Sequence, residues 1–155
     1  MHKPILNLPP FAYNFKTLDG KAGLYDVFRK KFVLLTPEEW VRQHLLHYLV
    51  NEKGFPPHLI SVEKELLVEG QKRRYDAVVY DAHFQPMLLI ECKAPQVAIT
   101  QAVFDQAARY NRTLDIPYIL VSNGLQHLMA KVDHQAGRYL FAPEPLSFVD
   151  LQQVR

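Results

Sequence analysis

Apolar and polar positions follow two rhythms along this chain, and the changes of rhythm mark its elements. Val41, Leu45, Tyr48 and Leu49 recur at the spacing of one helix face. Thr36 suits the N-cap of that helix, Pro37 its first position and Glu39 the reciprocal capping-box position, and the helix should end near Lys53-Gly54. After the connector Phe55-Pro56-Pro57-His58 the rhythm becomes that of strands, over about 60–68, 73–81 and 86–93. Glu69-Gly70 and Ala82-His83-Phe84-Gln85 separate them. A second helix is predicted from about Thr100 to Arg112, with Ile99, Ala102, Val103, Gln106, Ala107 and Tyr110 on its inner face. A buried strand follows at Tyr118-Ile119-Leu120-Val121, then two short strands near 125–132 and 138–142. Ahead of all these, residues 1–35 read as a proline-rich start and an extended arm with a hairpin turn at Leu18-Asp19-Gly20-Lys21. Phe11, Tyr13, Phe15, Tyr25, Phe28 and Phe32 give that arm an apolar side to pack on the core.

This order of elements predicts an α/β fold with a mixed sheet and helices on its faces. The chain of 155 residues fits one domain, 1–155, with an N-terminal arm (1–35), a core (36–142) and a C-terminal tail (143–155). Apolar residues make up 48% and charged residues 22%, a balance that is ordinary for a globular protein and argues against disorder. The net charge of +2 permits a nucleic-acid partner without demanding one, so the local clusters Arg29-Lys30-Lys31 and Lys72-Arg73-Arg74 matter more. As triplets they read first as solvated surface charge, which is what most such runs are. A single cysteine rules out an intramolecular disulfide or a cysteine-built zinc cage, and Cys92 reads as a small core residue. No apolar run is long enough to span a membrane and no signal-peptide h-region opens the chain, so the expected location is the cytoplasm.

The chemistry concentrates where strand 86–93 turns from apolar to charged, at Glu91-Cys92-Lys93. If 73–81 and 86–93 form a hairpin in which Asp81 pairs with Pro86, Asp76 falls opposite Glu91. One face then carries Arg74, Asp76, Val78 and Tyr80 with Met87, Leu89, Glu91 and Lys93. The other carries Tyr75, Ala77 and Val79 with Leu88, Ile90 and Cys92. Two carboxylates side by side repel unless one is protonated or a cation lies between them. Hard divalent ions take such oxygens together with phosphate and water. A structural ion-pair cluster is the alternative reading. Gln106 should point at the sheet from an apolar stripe, with Tyr110 one turn further on. If a third carboxylate reaches the site, periodicity favours Glu38 over Glu39, because Glu38 flanks the buried stripe. His44 and His47 lack a third metal ligand and read as ordinary helix residues.

These residues resemble the PD-(D/E)XK nuclease superfamily, in which an Asp on one strand and a (D/E)-X-K on the next surround a divalent metal. Thr36-Pro37-Glu38-Glu39-Trp40-Val41-Arg42-Gln43, Arg73 to Asp81 and Ile90-Glu91-Cys92-Lys93-Ala94-Pro95 are similar to the N-terminal nuclease domain of type I restriction enzyme R subunits. Gln106-Ala107-Ala108-Arg109-Tyr110 looks like the Q-x-x-x-Y motif of that branch. The resemblance spans about residues 5–142. It implies a restriction-endonuclease-like fold, a central mixed β-sheet flanked by α-helices, and Mg2+- or Mn2+-dependent cleavage of DNA. On that reading Asp76 and Glu91 bind metal, with Glu38 as a further candidate, and Lys93 assists the attacking water. Gln106 and Tyr110 position the substrate or the lysine, and Arg73, Arg74 and Arg42 contact phosphates. The expected partners are DNA, a second copy for cutting both strands, and a larger restriction or repair assembly. ATP-driven translocation is not expected of these 155 residues. A non-catalytic nucleic-acid-binding or assembly module of the same fold, or a nuclease acting on RNA, are the competing expectations.

Overall fold

The computed structural model describes residues 3–153, which form two β-sheets and four α-helices. Residues 1–2 and 154–155, the outer ends of the predicted arm and tail, lie outside the described residues. The arm is a small antiparallel sheet of β1 (Phe15–Leu18), β2 (Lys21–Asp26) and β3 (Lys31–Leu34). Asp19 and Gly20 both have positive φ, 48° and 78°, the requirement of a two-residue hairpin turn, as the Asp-Gly pair predicts. The sequence did not separate β3 from the arm. Its turn is set by one side chain: Asp26 Oδ1 accepts from the Phe28 N–H at 2.8 Å, while Lys30 takes φ 57° and donates to Asp26 O.

Helix α1 spans Pro37–Lys53 and begins and ends as its sequence requires. Thr36 Oγ1 accepts from the Glu39 N–H at 3.1 Å, and Gly54 ends the helix at φ 73°. Its buried Val41, Leu45, Leu46 and Leu49 pack with Ala77, Val79, Leu88 and Ile90 of the main sheet. That sheet runs β4 (Ile60–Val68), β5 (Gln71–Tyr80), β6 (Pro86–Cys92), β7 (Tyr118–Ser122), β8 (His127–Asp133) and β9 (Arg138–Ala142), each beside the next. Only β6 and β7 are parallel, so the sheet is mixed. Parallel neighbours need a long crossover, and helices α2 (Gln101–Ala107) and α3 (Asn111–Leu114) supply it. They cover the sheet face opposite α1, where Phe104 and Ala108 pack with Val78, Leu89, Ile119 and Val121.

Four expectations need correction. The helix predicted from Thr100 to Arg112 is broken: Thr100 caps α2, which stops at Ala107. Buried Asn111 donates to Ile116 O at 2.8 Å and accepts from Ile116 N–H at 3.0 Å, a local pairing that competes with helix continuation. The predicted tail holds helix α4 (Phe148–Gln153), whose Phe148 and Leu151 are in the core and whose short length hides its periodicity. Near the β5–β6 loop, Tyr80 and not Asp81 pairs with Pro86. Asp81 Oδ1 is instead engaged by the N–H groups of His83 and Gln85, and the resulting bulge turns Met87 to the α1 side beside Leu88. The β4–β5 ladder also skips one pair. Val62 opposes Ala77 and Lys64 opposes Tyr75, while Glu63 between them takes φ 54°. The faces change over at this point, so Tyr75 packs with Val78 and Leu89, not with Ala77.

Candidate active site

The register at the site itself is the predicted one: Ala77 opposes Ile90, Val78 opposes Leu89 and Val79 opposes Leu88. Continued by one residue, it sets Asp76 against Glu91, and there side chains take over from the ladder. The Asp76 N–H donates to Glu91 Oε1 at 3.3 Å, and the Cys92 N–H donates to Asp76 Oδ2 at 2.7 Å. Cys92 is buried on the α1 side, as expected of a core residue. Lys93 follows directly, its backbone N–H bound to Ser122 O of β7 at 2.8 Å. The β5–β6 hairpin thus brings Asp76, Glu91 and Lys93 to one end of the sheet.

The two carboxylates behave as a repelling pair. Burial, reinforced by the charge of Asp76, pushes the Glu91 carboxyl up to about 8. Burial also raises Asp76, against the Cys92 amide, Arg42 and Lys93, which favour its ionised form. Without a cation the pair therefore holds a proton at neutral pH. The sign of the consequence is fixed: the folded chain keeps a proton that the unfolded chain releases near its ordinary value of 4.5. Chelator-treated protein should lose stability as pH rises from 4.5 toward about 8, and Glu91→Gln should flatten that slope. Urea titrations across this range, comparing wild type with Glu91→Gln, check it; parallel slopes would rule the shared proton out.

Arginines tie this pair to α1. Arg42 Nη1 lies 3.1 Å from Asp76 Oδ1, and its Nη2 lies 2.7 Å from Glu39 Oε1. Glu39 also receives Arg29 Nη2 at 2.6 Å and Gln43 Nε2 at 3.1 Å, and Arg29 pairs in turn with Asp26. Burial alone would raise the Glu39 carboxyl, but hydrogen bonds and charge from Arg42 and Arg29 hold it below its ordinary value. Glu38, the third carboxylate favoured by periodicity, is exposed and takes no part in these ion pairs. The turn between β2 and β3 brings Arg29 over the Glu39 side of α1, a tertiary contact that helix projection cannot register. Arg42, read from sequence as a phosphate contact, is buried and already bridges Glu39 and Asp76.

On the α2 side a cleft of about 460 Å³ opens beside Glu91 and Lys93. Arg73, Arg74, Gln106 and Tyr110 also line it, whereas Asp76 does not and turns its carboxylate to Arg42. Arg73 lies over the Tyr110 ring, 4.2 Å from its centroid. Arg74 is exposed, with Glu63 3.9 Å away. Gln106 is exposed rather than buried: the inner face of α2 is centred on Phe104, whose ring meets Tyr139 and Phe141 at 5.1 and 5.0 Å. Gln106 still faces the cleft. His44 Nδ1 is paired with Trp40 O at 2.8 Å and His47 stacks on Phe11, consistent with ordinary helix residues. Among the described residues no group of three His, Cys, Asp or Glu side chains is disposed to hold a metal, so Asp76 and Glu91 are a pair without a third such ligand.

A family model described as the type I restriction enzyme R protein N terminus (HSDR_N) matches residues 37–144. The chain belongs to this family. The matched HSDR_N region runs from the first turn of α1 to just past β9, and so contains Asp76, Glu91, Lys93, Gln106 and Tyr110. A fragment structure assigned to an HsdR subunit of a type I restriction enzyme from Vibrio vulnificus YJ016 has a similar fold. Its TM-score is 0.57 at 19% identity, over 77% of this chain and 25% of that one. The present chain thus spans a quarter of the length of that structure. No curated protein matches the sequence. Among the described residues no helix is long and apolar enough to cross a membrane.

Proposed function

We propose that this HSDR_N domain is a divalent-metal-dependent DNA endonuclease of the PD-(D/E)XK kind. The observation that carries the reading is the Asp76–Glu91 carboxylate pair beside Lys93, at the edge of a cleft walled by Arg73 and Arg74. A buried pair in which burial and mutual repulsion favour a shared proton suits a hard cation, which would replace that proton. Asp76 and Glu91 would hold Mg2+ or Mn2+, which when bound polarises the scissile phosphate and makes water more acidic. Lys93 orients the attacking water and offsets charge growing on the phosphate. Arg42 fixes the Asp76 carboxylate through Oδ1 while Cys92 N–H fixes Oδ2. Gln106 and Tyr110 guide the strand from the opposite wall, and Arg73 and Arg74 meet its phosphates, which makes binding salt-sensitive. The partners that fit are DNA, a second copy for the other strand, and the other subunits of a restriction assembly.

Incubation of plasmid and linear DNA with Mg2+ or Mn2+ tests this. Wild type should degrade both and Asp76→Ala neither, and parallel reactions with single-stranded DNA and RNA define the substrate. Equal DNA loss by the two proteins, or none by wild type at any metal concentration, would overturn it. A second reading has its own support. Arg42 already neutralises part of Asp76, and Glu38 is exposed and outside the ion-pair network, as suits a DNA-binding or assembly module that does not cut. That module would bind DNA equally well with and without divalent metal.

A further inference from the structure

The buried hydroxyl of Tyr75 has no hydrogen-bond partner, in a residue that is only 5% exposed. The Nε of Arg73, two residues earlier on β5, is also buried without a partner. Leaving such groups unpaired costs on the order of 1–3 kcal/mol each, and an apolar residue would fill either position without that cost. Both residues line the cleft that holds Glu91 and Lys93. They reach it because the β4–β5 ladder skips Glu63 and Asp76, which turns Tyr75 to the α2 side alongside Arg73. Arg73 cannot swing freely, since its guanidinium is stacked on Tyr110. Glu91, Arg73 and Tyr110 are the charged and titratable groups around the Tyr75 hydroxyl.

We infer that Tyr75 and Arg73 form a phosphate subsite, donating the Tyr75 O–H and the Arg73 Nε–H to one phosphodiester group of the DNA strand in the cleft. A phosphate brings several acceptor oxygens and no donor, so it complements two donors that lack acceptors. Glu91, which lines the same cleft and acts electrostatically on the Tyr75 hydroxyl, sets the subsite near the carboxylate pair. The inference rests on the proposed DNA-binding role, yet it assigns Tyr75, a residue which that role leaves without a task. Tyr110 becomes a positioning residue, holding the Arg73 plane toward the strand.

Tyr75→Phe provides the test, because it removes one buried unpaired oxygen and nothing else. Without DNA its thermal midpoint should equal or exceed that of wild type. Binding of a short DNA duplex, followed by fluorescence anisotropy without divalent metal, should weaken about tenfold, the equivalent of one charge-assisted hydrogen bond. Tyr110→Leu should weaken binding in the same direction by releasing Arg73, and Tyr110→Phe, which restores the ring under Arg73, should recover part of that loss. Wild-type affinity in Tyr75→Phe, or a fall in its thermal midpoint that accounts for weaker binding, would overturn the subsite. The readout is separate from cleavage. Loss of binding in Tyr75→Phe with no cleavage by wild type would retire the nuclease reading alone, and unchanged binding with normal metal-dependent cleavage would retire the subsite alone.

Discussion

Lys93→Ala should slow single-turnover DNA cleavage about a hundred- to a thousandfold while leaving divalent-metal affinity nearly unchanged. The separation follows from the geometry. The backbone of Lys93 is fixed by its N–H bond to Ser122 O, so truncation beyond Cβ leaves the strand end in place. Its ammonium favours the ionised forms of both Asp76 and Glu91, but Arg42 and the Cys92 amide also hold Asp76. Loss of Lys93 therefore weakens metal binding less than it weakens the step in which charge builds on the phosphate. Lys93→Arg keeps the charge but replaces a compact donor with a broad planar one, and should recover only part of the rate. Quenched reactions at saturating enzyme, paired with metal titrations, measure both quantities. A variant that loses metal binding and cleavage in equal proportion would make Lys93 a structural counter-charge.

Glu39→Ala should destabilise the domain by about 3–5 kcal/mol, the cost typical of breaking a buried ion pair from one side. Glu39 is the shared carboxylate of Arg29 and Arg42, and all three side chains are nearly buried. Its removal leaves two guanidinium groups in place, with Asp26, Asp76 and the more exposed Glu63 as their remaining partners. Arg42 would then bear more fully on Asp76 and compete with a cation there, so cleavage should need more metal even where the variant folds. Because the folded pKa of Glu39 is depressed, its contribution is present above the ordinary carboxylate range and disappears as pH falls through the lower folded value. Urea unfolding at neutral and acidic pH measures both effects. Glu38→Ala, at the exposed neighbouring position, should be close to neutral, and equal losses from the two variants would refute the buried network.

Much of the fold was legible because local signals agree with one another. Thr36, Pro37 and Gly54 mark both ends of α1, Asp19-Gly20 marks a hairpin, and the apolar runs of β6 and β7 mark buried strands. The register that sets Asp76 against Glu91 also followed from counting, although the starting pair Asp81–Pro86 was misplaced. The bulge at Met87 absorbs that slip before it reaches the site. What escaped was decided by contacts between distant segments. Glu39 was accounted for as a cap, yet its side chain serves Arg29 and Arg42 because the β2–β3 turn folds over α1. Gln106 was placed inward by helical spacing, but α2 ends too soon and pivots on Phe104. Tyr75 was assigned to the wrong face because nothing in the alternation announces the skipped Glu63–Asp76 pair. A positive φ at a glutamate within a strand carries no sequence signal of the kind that a glycine gives.

The claim on which the rest depends is that Asp76 and Glu91 form a metal site. Calorimetric titration of Mn2+ into wild type and Asp76→Ala, near neutral pH in two buffers of different ionisation enthalpy, addresses it directly. Wild type should bind with release of the proton held by the pair, visible as a buffer-dependent heat, and Asp76→Ala should show neither the binding nor the release. Identical isotherms for the two proteins, or no binding by wild type, would contradict the account.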